Sequence, residues 1–281
     1  MPELPEVETV CRVMRTSLEG RLITHVEVVP DPIVFGGHSA KAVEEALAGR
    51  TVQSVGRRGK LFWMVLSGEG PTVFGHLGMS GWVREVGGEG TRLQGHGKTP
   101  FDDEDGRPRF LRLLIRTAND RAIAYTDPRR FGRIWLSASP ETDEHIARLG
   151  PDALDELPNN AELAKLFGRR KIAIKAVLLD QSTLSGIGNW VADEVLYQAR
   201  ISPKRVAASL TSKEIAALRR AIHSVLSRAV EVSADHARFP KTWLFEHRWG
   251  GGRGATQIAG QPIKREIVGG RTTAWVPSRQ R

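Results

Sequence analysis

The sequence predicts an α+β chain, in which a β-rich first half precedes a helical region and a small basic β appendage. Short apolar runs in the first half are separated by Gly, Pro and charged turns, which is typical of an antiparallel sandwich or barrel. After a Pro- and Asp-containing connector around 137–158, the apolar residues recur at helical spacing. Beyond Phe239 and Pro240 the pattern is turn-rich again, with glycine clusters at 250–254 and 269–270.

Composition limits the class of protein. The chain has 281 residues with a formal net charge of +9, a hydrophobic fraction of 40% and one cysteine. One cysteine excludes a disulfide framework and a zinc site built from several thiolates. No apolar run approaches the roughly 20 residues of a membrane span, and acidic residues near the start interrupt any signal-peptide pattern. We therefore expect a soluble intracellular protein.

The positive charge is concentrated near the C-terminus. Residues 236–281 hold nine basic and two acidic residues, which leaves +7 of the +9 in this segment. Such a segment suits binding to a polyanion, because each neutralised phosphate releases counterions. A solvated basic tail is the alternative, but aromatic residues among these charges favour an ordered element: Trp243, Phe245, Trp249 and Trp275.

The first element is predicted as a helix over 3–18. Val7, Val10 and Met14 follow helical apolar spacing, and Gly20 supplies a stop. Cys11 lies on the same stripe, which indicates a buried structural thiol rather than a nucleophile.

The remaining elements follow in order. Strands are predicted over 23–29, 60–66, 72–76, 110–116, 122–125 and 132–136, with a surface loop over 87–105. Helices are predicted over 160–167, 172–179, 190–200 and 211–232, the last supported by a Thr211–Glu214 capping box. The predicted organisation is therefore a β domain at 1–137, a hinge at 138–150, a helical domain at 151–240 and a β appendage at 241–281.

The N-terminal sequence Met-Pro-Glu-Leu-Pro-Glu is a candidate reaction centre. Removal of Met1 would leave Pro2 as a secondary amine, and an α-amino group has a pKa near 8, so a useful fraction is unprotonated. Such an amine can attack an aldehyde-level carbon to give an iminium ion, with Glu3 and Glu6 as acid–base candidates. Proline and glutamate in a first helical turn are also ordinary helix chemistry, so these residues alone leave the role open.

Two further motifs suit nucleic acid. In 184–190, Gly188 and Asn189 lead into the helix predicted at 190–200, where free N–H groups bind phosphate. A tight helix–helix turn would need the same glycines. In the loops at 75–81 and 127–131, Met79 and Phe131 suit wedges between bases, with a neighbouring Arg to fill the gap of an extruded base. Simple packing is the alternative for Met79.

Seven motifs in order resemble those of one enzyme family: PELPEVETV at 2–10, GRRGKL at 56–61, HLGMSG at 76–81, YTDPRRFG at 125–132, LGPDAL at 149–154, LLDQSTLSGIGNWVADEVLYQARISP at 178–203 and GGRTTAWVP at 269–277. The chain resembles the formamidopyrimidine-DNA glycosylase/endonuclease VIII family of bifunctional base-excision repair enzymes, and its opening favours the formamidopyrimidine branch. The resemblance implies a two-lobed α+β fold. An N-terminal antiparallel β-sandwich with its helix would precede a helix–two-turn–helix domain and a β-hairpin finger, with double-stranded DNA bound between the lobes.

The resemblance also implies residue roles at the first lobe. Pro2 matches the nucleophile, and Glu3 the carboxylate that protonates the sugar and assists base loss. Glu6 matches a buried carboxylate that positions the nucleophilic end, and Lys60 a lysine that contacts phosphate near the lesion.

DNA contacts are implied in both lobes. Met79, Arg129 and Phe131 match the trio inserted into the duplex when a damaged nucleotide is everted. Asn189, beside Gly188, matches a phosphate-gripping asparagine. Two further matches are Lys175, near the base pocket, and Arg271, on the finger.

The chain departs from the family at the finger, because most members carry four zinc-binding cysteines there. With a single cysteine the finger is expected to be zincless, as in plant-type members, and to be held by Trp275, Ile258, Ile263 and turn glycines. The segment 231–243 is short where other members cap 8-oxoguanine, which favours formamidopyrimidines and hydantoins as substrates.

These observations predict a DNA glycosylase with β,δ-elimination lyase activity that acts on oxidised bases or abasic sites. The protein is expected to be a monomer with neither metal nor organic cofactor. A non-catalytic helix–two-turn–helix DNA-binding protein is the main alternative. A zinc hydrolase is a third, but the histidines show no paired ligand spacing.

Overall fold

The computed structural model describes residues 2–88, 102–249 and 256–281, which form two compact units. The first contains Met1–Arg148 together with Ser233–His236, and the second contains Leu149–Val232 and Ala237–Arg281. The segment predicted as a hinge, 138–150, contains a short helix and falls mainly in the first unit.

In its described residues, the first unit contains three helices and two antiparallel sheets. Its helices are α1 (Leu4–Leu18), α2 (Ala40–Leu47) and α3 (Glu144–Ala147). Its strands are β1 (Ile23–Val28), β2 (Val52–Arg58), β3 (Leu61–Leu66), β4 (Thr72–His76), β5 (Trp82–Glu85), β6 (Leu111–Thr117), β7 (Ala122–Thr126) and β8 (Arg133–Ser137). One sheet has the order β1-β6-β7-β5 and the other β2-β3-β4-β8.

Both sheets and α1 contribute to one large apolar core. Along β3, side chains alternate between partly and fully buried, as expected of a strand with one face on a core. The apolar stripe of α1, including Val10, Cys11 and Met14, is buried in the same cluster as Phe62 of β3 and Ile115 of β6. This shared core joins the two sheets as a sandwich.

The second unit is helical and ends in small β elements. Its helices are α4 (Asn160–Gly168), α5 (Ile174–Leu179), α6 (Asn189–Ala199) and α7 (Ser212–Glu231). Three short 3₁₀ turns are found at Ala207–Ser209, His236–Arg238 and Leu244–His247, the second at the boundary between the units. Its strands are β9 (Gln257–Ile258), β10 (Gln261–Pro262), β11 (Lys264–Val268) and β12 (Arg271–Trp275), of which the last two form an antiparallel hairpin.

The predicted fold class is confirmed, and most predicted elements match to within one or two residues. Thr211 caps α7, and the Thr211–Glu214 capping box forms as predicted. The elements that the sequence did not predict include α2, α3, β2 and β5. The glycine cluster at 250–254 and most of the predicted 87–105 loop lie outside the described residues. Within those residues, no helix has both the length and the apolar character needed to cross a bilayer.

Candidate functional site

The N-terminal end of α1 brings Pro2, Glu3 and Glu6 together. Glu3 is the N-cap residue of the helix, and its backbone N–H donates to Glu6 Oε2 at 3.0 Å. Both carboxyl side chains are buried, each with 2% of its surface exposed. A buried carboxyl group beside the chain start is placed to exchange a proton with a molecule bound at Pro2.

Three contacts of α1 were not predicted from the sequence. His236, in the segment assigned to the first unit, places Nε2 3.5 Å from Glu6 Oε1. Glu8 forms ion pairs with Arg15 at 2.7 Å and with Arg57 of β2 at 3.0 Å. Of these contacts, the Glu8–Arg57 pair joins α1, the helix that follows Pro2, to strand β2.

Lys60 lies in the two-residue turn between β2 and β3. Gly59, the first turn residue, has φ of 58°, a conformation that favours glycine in a tight hairpin. His76 at the end of β4 pairs in register with Leu61, directly after Lys60. Burial, together with the charges of Lys60 and Arg133, lowers the pKa of His76 to about 4. His76 is therefore neutral at physiological pH, and its Nδ1 accepts a hydrogen bond from Gly78 N at 3.1 Å.

Two loops of the first unit meet through glycines that leave no room for a side chain. A Cβ on Gly78 would lie 2.3 Å from the carbonyl carbon of Phe131, and one on Gly132 would lie 1.7 Å from the Tyr125 hydroxyl oxygen. This close approach places Met79 and Phe131 on neighbouring loops, with 40% and 52% of their surfaces exposed. Exposed apolar side chains on a tightly held backbone are suited to insertion between bases.

Arg129 joins the same surface. Its Nη2 donates to the backbone oxygen of Met79 at 3.2 Å, and its guanidinium carbon lies 5.5 Å from the centroid of the Phe131 ring. The structure thus brings together the three predicted wedge residues.

Two aspartates that the sequence analysis did not single out hold these loops. Asp127 is fully buried, and its Oδ2 accepts from Gly132 N at 2.7 Å. Asp31 accepts two hydrogen bonds from Arg130, at 2.6 and 3.1 Å. Although burial alone would raise the pKa of Asp31, hydrogen bonds from Arg130 and from the backbone of Val34 and Ile33 hold it below its ordinary value.

In the second unit, Asn189 is the first residue of α6 and Gly188 is its N-cap. The turn before them is held by Gln181, whose Oε1 accepts from Gly186 N at 3.0 Å and whose Nε2 donates to Ile187 O at 2.8 Å. The LLDQ motif therefore has a structural role that the sequence alone did not reveal. The start of α6 presents backbone N–H groups of the kind that bind phosphate.

The β11–β12 hairpin lies against this helix start. Gly269 and Gly270 form its turn with φ of 60° and 73°, and exposed Arg271 follows directly. Asn189 Nδ2 donates to Thr272 O at 3.0 Å, which joins the helix start to the strand that carries Arg271. An amide nitrogen has two N–H donors, and this bond uses one of them.

Lys175 is not at the surface. Its side chain is 0% exposed, and its Nζ lies 2.6 Å from Asp193 Oδ1 and 2.7 Å from Thr273 Oγ1. The ammonium group is thus bound to protein groups of α6 and β12, rather than exposed for direct contact with a ligand.

A four-thiolate zinc site does not fit this chain. Its single cysteine, Cys11, is buried in the core of the first unit, where burial and the nearby Glu8 raise the pKa of the thiol to about 12. Across residues 2–88, 102–249 and 256–281, no three His, Cys, Asp or Glu side chains are grouped so as to hold a metal ion.

Comparisons with known proteins agree with this architecture. Residues 1–134 match the family model described as formamidopyrimidine-DNA glycosylase N-terminal domain, and residues 149–241 match that of the formamidopyrimidine-DNA glycosylase H2TH domain. A formamidopyrimidine-DNA glycosylase of Arabidopsis thaliana is 37% identical over 100% of this chain and 71% of its own length. One from Rhodopseudomonas palustris (strain TIE-1) is 32% identical over the whole of both chains.

Solved structures show the same fold. The Lactococcus lactis formamidopyrimidine-DNA glycosylase, non-covalently bound to DNA that contains an AP site, aligns over 100% of both chains with a TM-score of 0.79 and 25% identity. The same enzyme in complex with DNA that contains an oxidised pyrimidine gives a TM-score of 0.80 at 25% identity.

Proposed function

Because the chain belongs to the formamidopyrimidine-DNA glycosylase family, we propose that it removes oxidised bases from double-stranded DNA and then cleaves the abasic strand. The observation that carries this proposal is the start of α1, where Pro2 adjoins two buried carboxyl groups, those of Glu3 and Glu6. A nucleophilic amine beside a proton donor is what a glycosylase with lyase activity requires.

In the first chemical stage, a bond between C1′ and the Pro2 nitrogen replaces the bond between C1′ and the base. With Met1 removed, the lone pair of the Pro2 nitrogen forms a bond to C1′ while the glycosidic C–N bond breaks and the base leaves with its electron pair and a proton. Glu3 protonates the ring oxygen as the sugar opens, which assists base loss. The proton that the nitrogen gives up passes to the departing base, and a C1′ iminium ion remains. Glu6 holds the backbone of Glu3 in place through the 3.0 Å hydrogen bond.

The second stage is strand cleavage. The iminium ion acidifies the C2′–H bond, so loss of that proton expels the 3′ phosphate by β-elimination. Loss of a second sugar proton expels the 5′ phosphate by δ-elimination. All of these steps are proton transfers and bond exchanges at the sugar, so we propose that they proceed without metal or organic cofactor.

Access to the base requires that it leave the helix. Extrusion of a nucleotide costs a few kcal/mol of stacking and pairing. We assign Met79, Arg129 and Phe131 to the space that the nucleotide vacates. The assignment is supported by the exposure of Met79 and Phe131 and by the contacts of Arg129 with both of them.

Phosphate contacts would hold the DNA in register. We assign them to Lys60 in the first unit and to Gly188, Asn189 and Arg271 in the second. The positive net charge of residues 236–281 supports this role, since the electrostatic term supplies most of the non-specific affinity for DNA.

The preferred lesions are proposed to be formamidopyrimidines and hydantoins rather than 8-oxoguanine. The segment that follows α7 is short, and Phe239 in it packs against Trp190, Trp243 and Phe245 with ring centroids 5.0 to 5.6 Å apart. A segment tied into an aromatic cluster has little chain to spare for covering an everted base. Single-turnover excision on duplexes with each lesion opposite cytosine tests this preference, which faster removal of 8-oxoguanine would contradict.

Borohydride trapping tests the main proposal. Reduction of the iminium ion should leave the protein covalently bound to abasic or damaged DNA, with the adduct mapped to Pro2 by peptide mass spectrometry. A protein with an uncleaved N-terminal extension should give no adduct but should still bind an abasic-site analogue. Adduct formation by the extended protein would assign the nucleophile to a lysine. Retention of Met1 with DNA binding but no trapping would favour the non-catalytic alternative.

A further inference from the structure

A buried charge network joins α5, α6 and the hairpin of the second unit. Lys175 on α5 and Asp193 on α6 are paired at 2.6 Å, and both side chains have no exposed surface. Lys175 Nζ also donates to Thr273 Oγ1 on β12 at 2.7 Å. A single ammonium group therefore bonds to both the helix and the hairpin strand.

The second oxygen of Asp193 extends the network. Its Oδ2 accepts from Arg248 Nη2 at 2.8 Å and from the backbone N–H of Ala274, on β12, at 3.1 Å. The carboxylate thus receives hydrogen bonds from α5, from the segment that follows Leu244–His247 and from the hairpin backbone.

The groups proposed to bind phosphate are attached to this network. Asn189 lies one helical turn before Asp193, and its side chain donates to Thr272 O on the same strand as Arg271. Arg248 also donates to Asn189 O at 3.4 Å. Any shift of β12 relative to α6 would therefore move Arg271 and Asn189 apart.

Apolar packing does not by itself specify this arrangement. One side of the hairpin rests on a small cluster of buried residues, namely Tyr197, Leu244, Ile258, Ile263, Ala274 and Val276. Hydrophobic burial is non-directional, so it holds the hairpin down without selecting its register. Buried ion pairs contribute little net stability, whereas their geometry can select one arrangement among several.

We propose that Lys175 and Asp193 form a charge clasp that aligns Arg271 and Asn189 as one phosphate-binding surface without a metal ion. Both are positioning residues, which act on DNA through β12 and the start of α6. The proposal rests on the proposed function in one respect, namely that the second unit binds DNA phosphates.

The substitution Asp193→Asn distinguishes the clasp from an alternative in which Lys175 contacts DNA directly. Removal of a negative charge should strengthen binding to a polyanion by simple electrostatics, and it would release Lys175. The clasp predicts the opposite, an affinity for duplex DNA with a tetrahydrofuran abasic analogue that is about tenfold weaker. Fluorescence anisotropy measures the affinity of the wild type and of Asp193→Asn for this DNA. Unchanged or tighter binding by Asp193→Asn would overturn the proposal.

Companion variants test whether the two residues act as one unit. Lys175→Met should weaken binding by a similar factor, and the double variant should be no weaker than the weaker single variant. Lys204→Met is the matched control, because this exposed lysine pairs with Glu266 of the hairpin at 3.2 Å. Lys204→Met should weaken DNA binding by less than about twofold. Additive losses, or an equal loss in Lys204→Met, would contradict a clasp.

Hydrogen exchange gives a measure that does not depend on activity. In Asp193→Asn and Lys175→Met, amides of β12 should exchange faster while those of α7 keep their protection. Thr273→Val, which keeps both charges and the side-chain shape, should give a milder change and an affinity loss of about threefold. Equal loss of protection in α7 and β12 would assign the pair to general stability instead. Failure of the wild-type protein to bind DNA would refute the proposed function, while the exchange pattern would still test the clasp.

Discussion

Ser80 donates its hydroxyl proton to Asp127 Oδ1 across 2.8 Å, and this bond joins the two loops that carry Met79 and Phe131. Asp127 also accepts from the backbone N–H groups of Arg129 and Gly132. One buried carboxylate therefore bonds to both of the loops that carry Met79 and Phe131. Its negative charge matters, because all of these partners are donors.

Asp127→Asn should slow base eversion and excision by about tenfold or more. An amide keeps one acceptor oxygen but turns an NH₂ group towards a backbone N–H, at a cost of about 1–3 kcal/mol to the loop arrangement. Stopped-flow fluorescence of 2-aminopurine beside the lesion reports eversion, and single-turnover excision reports the chemical outcome. Asp120→Asn, at an exposed turn, is the control. Wild-type eversion kinetics in Asp127→Asn would show that Asp127 does not position the loops for eversion.

Glu3→Gln should separate the two activities. Proton donation by a positioned carboxyl group accelerates a step by about 10²–10⁴-fold, so excision of an oxidised base should fall by a factor in that range. A preformed abasic site has no base to expel, so borohydride trapping on abasic DNA should fall by less than about tenfold. Glu45→Gln on the exposed face of α2 should leave both rates unchanged. Equal loss of both activities would show that Glu3 acts only in the ring opening that both substrates share, and not in base loss.

Acid should weaken the first unit through His76. Burial, with the charges of Lys60 and Arg133, lowers the pKa of His76 to about 4. The unfolded chain therefore binds this proton more readily than the folded one. The contribution of neutral His76 to the free energy of unfolding is fully present above the ordinary histidine pKa. About 3 kcal/mol of it is lost as the pH falls through about 4.

Denaturant unfolding between about pH 7 and pH 4 measures this effect. His76→Gln is the appropriate variant, because its amide oxygen can accept from Gly78 N in place of the ring nitrogen. The free energy of unfolding of His76→Gln should depend less steeply on pH than that of the wild type. Parallel curves would show that folding does not lower the pKa of His76.

Glu194 should give the second unit the opposite dependence. Burial, which outweighs the hydrogen bonds from Gln198 and Phe245 N, raises the pKa of the Glu194 carboxyl group to about 7. A raised acid pKa stabilises the fold below the ordinary glutamate value, and this stabilisation is lost as the pH rises through about 7. The Tm of the wild type relative to Glu194→Gln should therefore fall between about pH 5 and pH 8. A constant difference would mean that Glu194 is ionised throughout.

Chelation should leave DNA binding intact. With one thiol in the chain and that thiol buried in the first unit, no four-cysteine site can form. Metal analysis of the purified protein should find zinc well below one equivalent, and treatment with a chelator should not change the affinity for abasic-site DNA. Stoichiometric zinc whose removal weakens binding would contradict this expectation.

Local patterns in the sequence were sufficient for much of the fold. The long helix α7 is predictable because its apolar spacing and its Thr211–Glu214 capping box are both contiguous features. Strand β2 was missed because its outward positions are polar and a register shift between Val52 and Ser54 breaks its alternation. Helix α2 is only eight residues long, although its N-cap at Ser39 and the helical spacing of its buried residues Val43, Ala46 and Leu47 are both local signals.

The candidate site was predictable only in part, because its supports come from distant parts of the chain. The motifs supply Pro2, Met79 and Phe131, whereas the bond between Arg130 and Asp31 joins residues 99 positions apart. No local pattern reveals such a pair. Lys175 is different, since a lysine within the apolar run IAIKAVLL is itself a signal that a buried partner is needed.

Because its single cysteine is buried, this protein is suited to labelling with a dye at one chosen position. Cys11 has no exposed surface and a pKa near 12, so its thiol should not react with maleimides under native conditions. Ile267 on the hairpin is 68% exposed. Ile267→Cys therefore introduces one thiol that reacts with maleimides, and the native cysteine does not have to be replaced first. A fluorophore attached there would follow the hairpin in real time as it engages DNA.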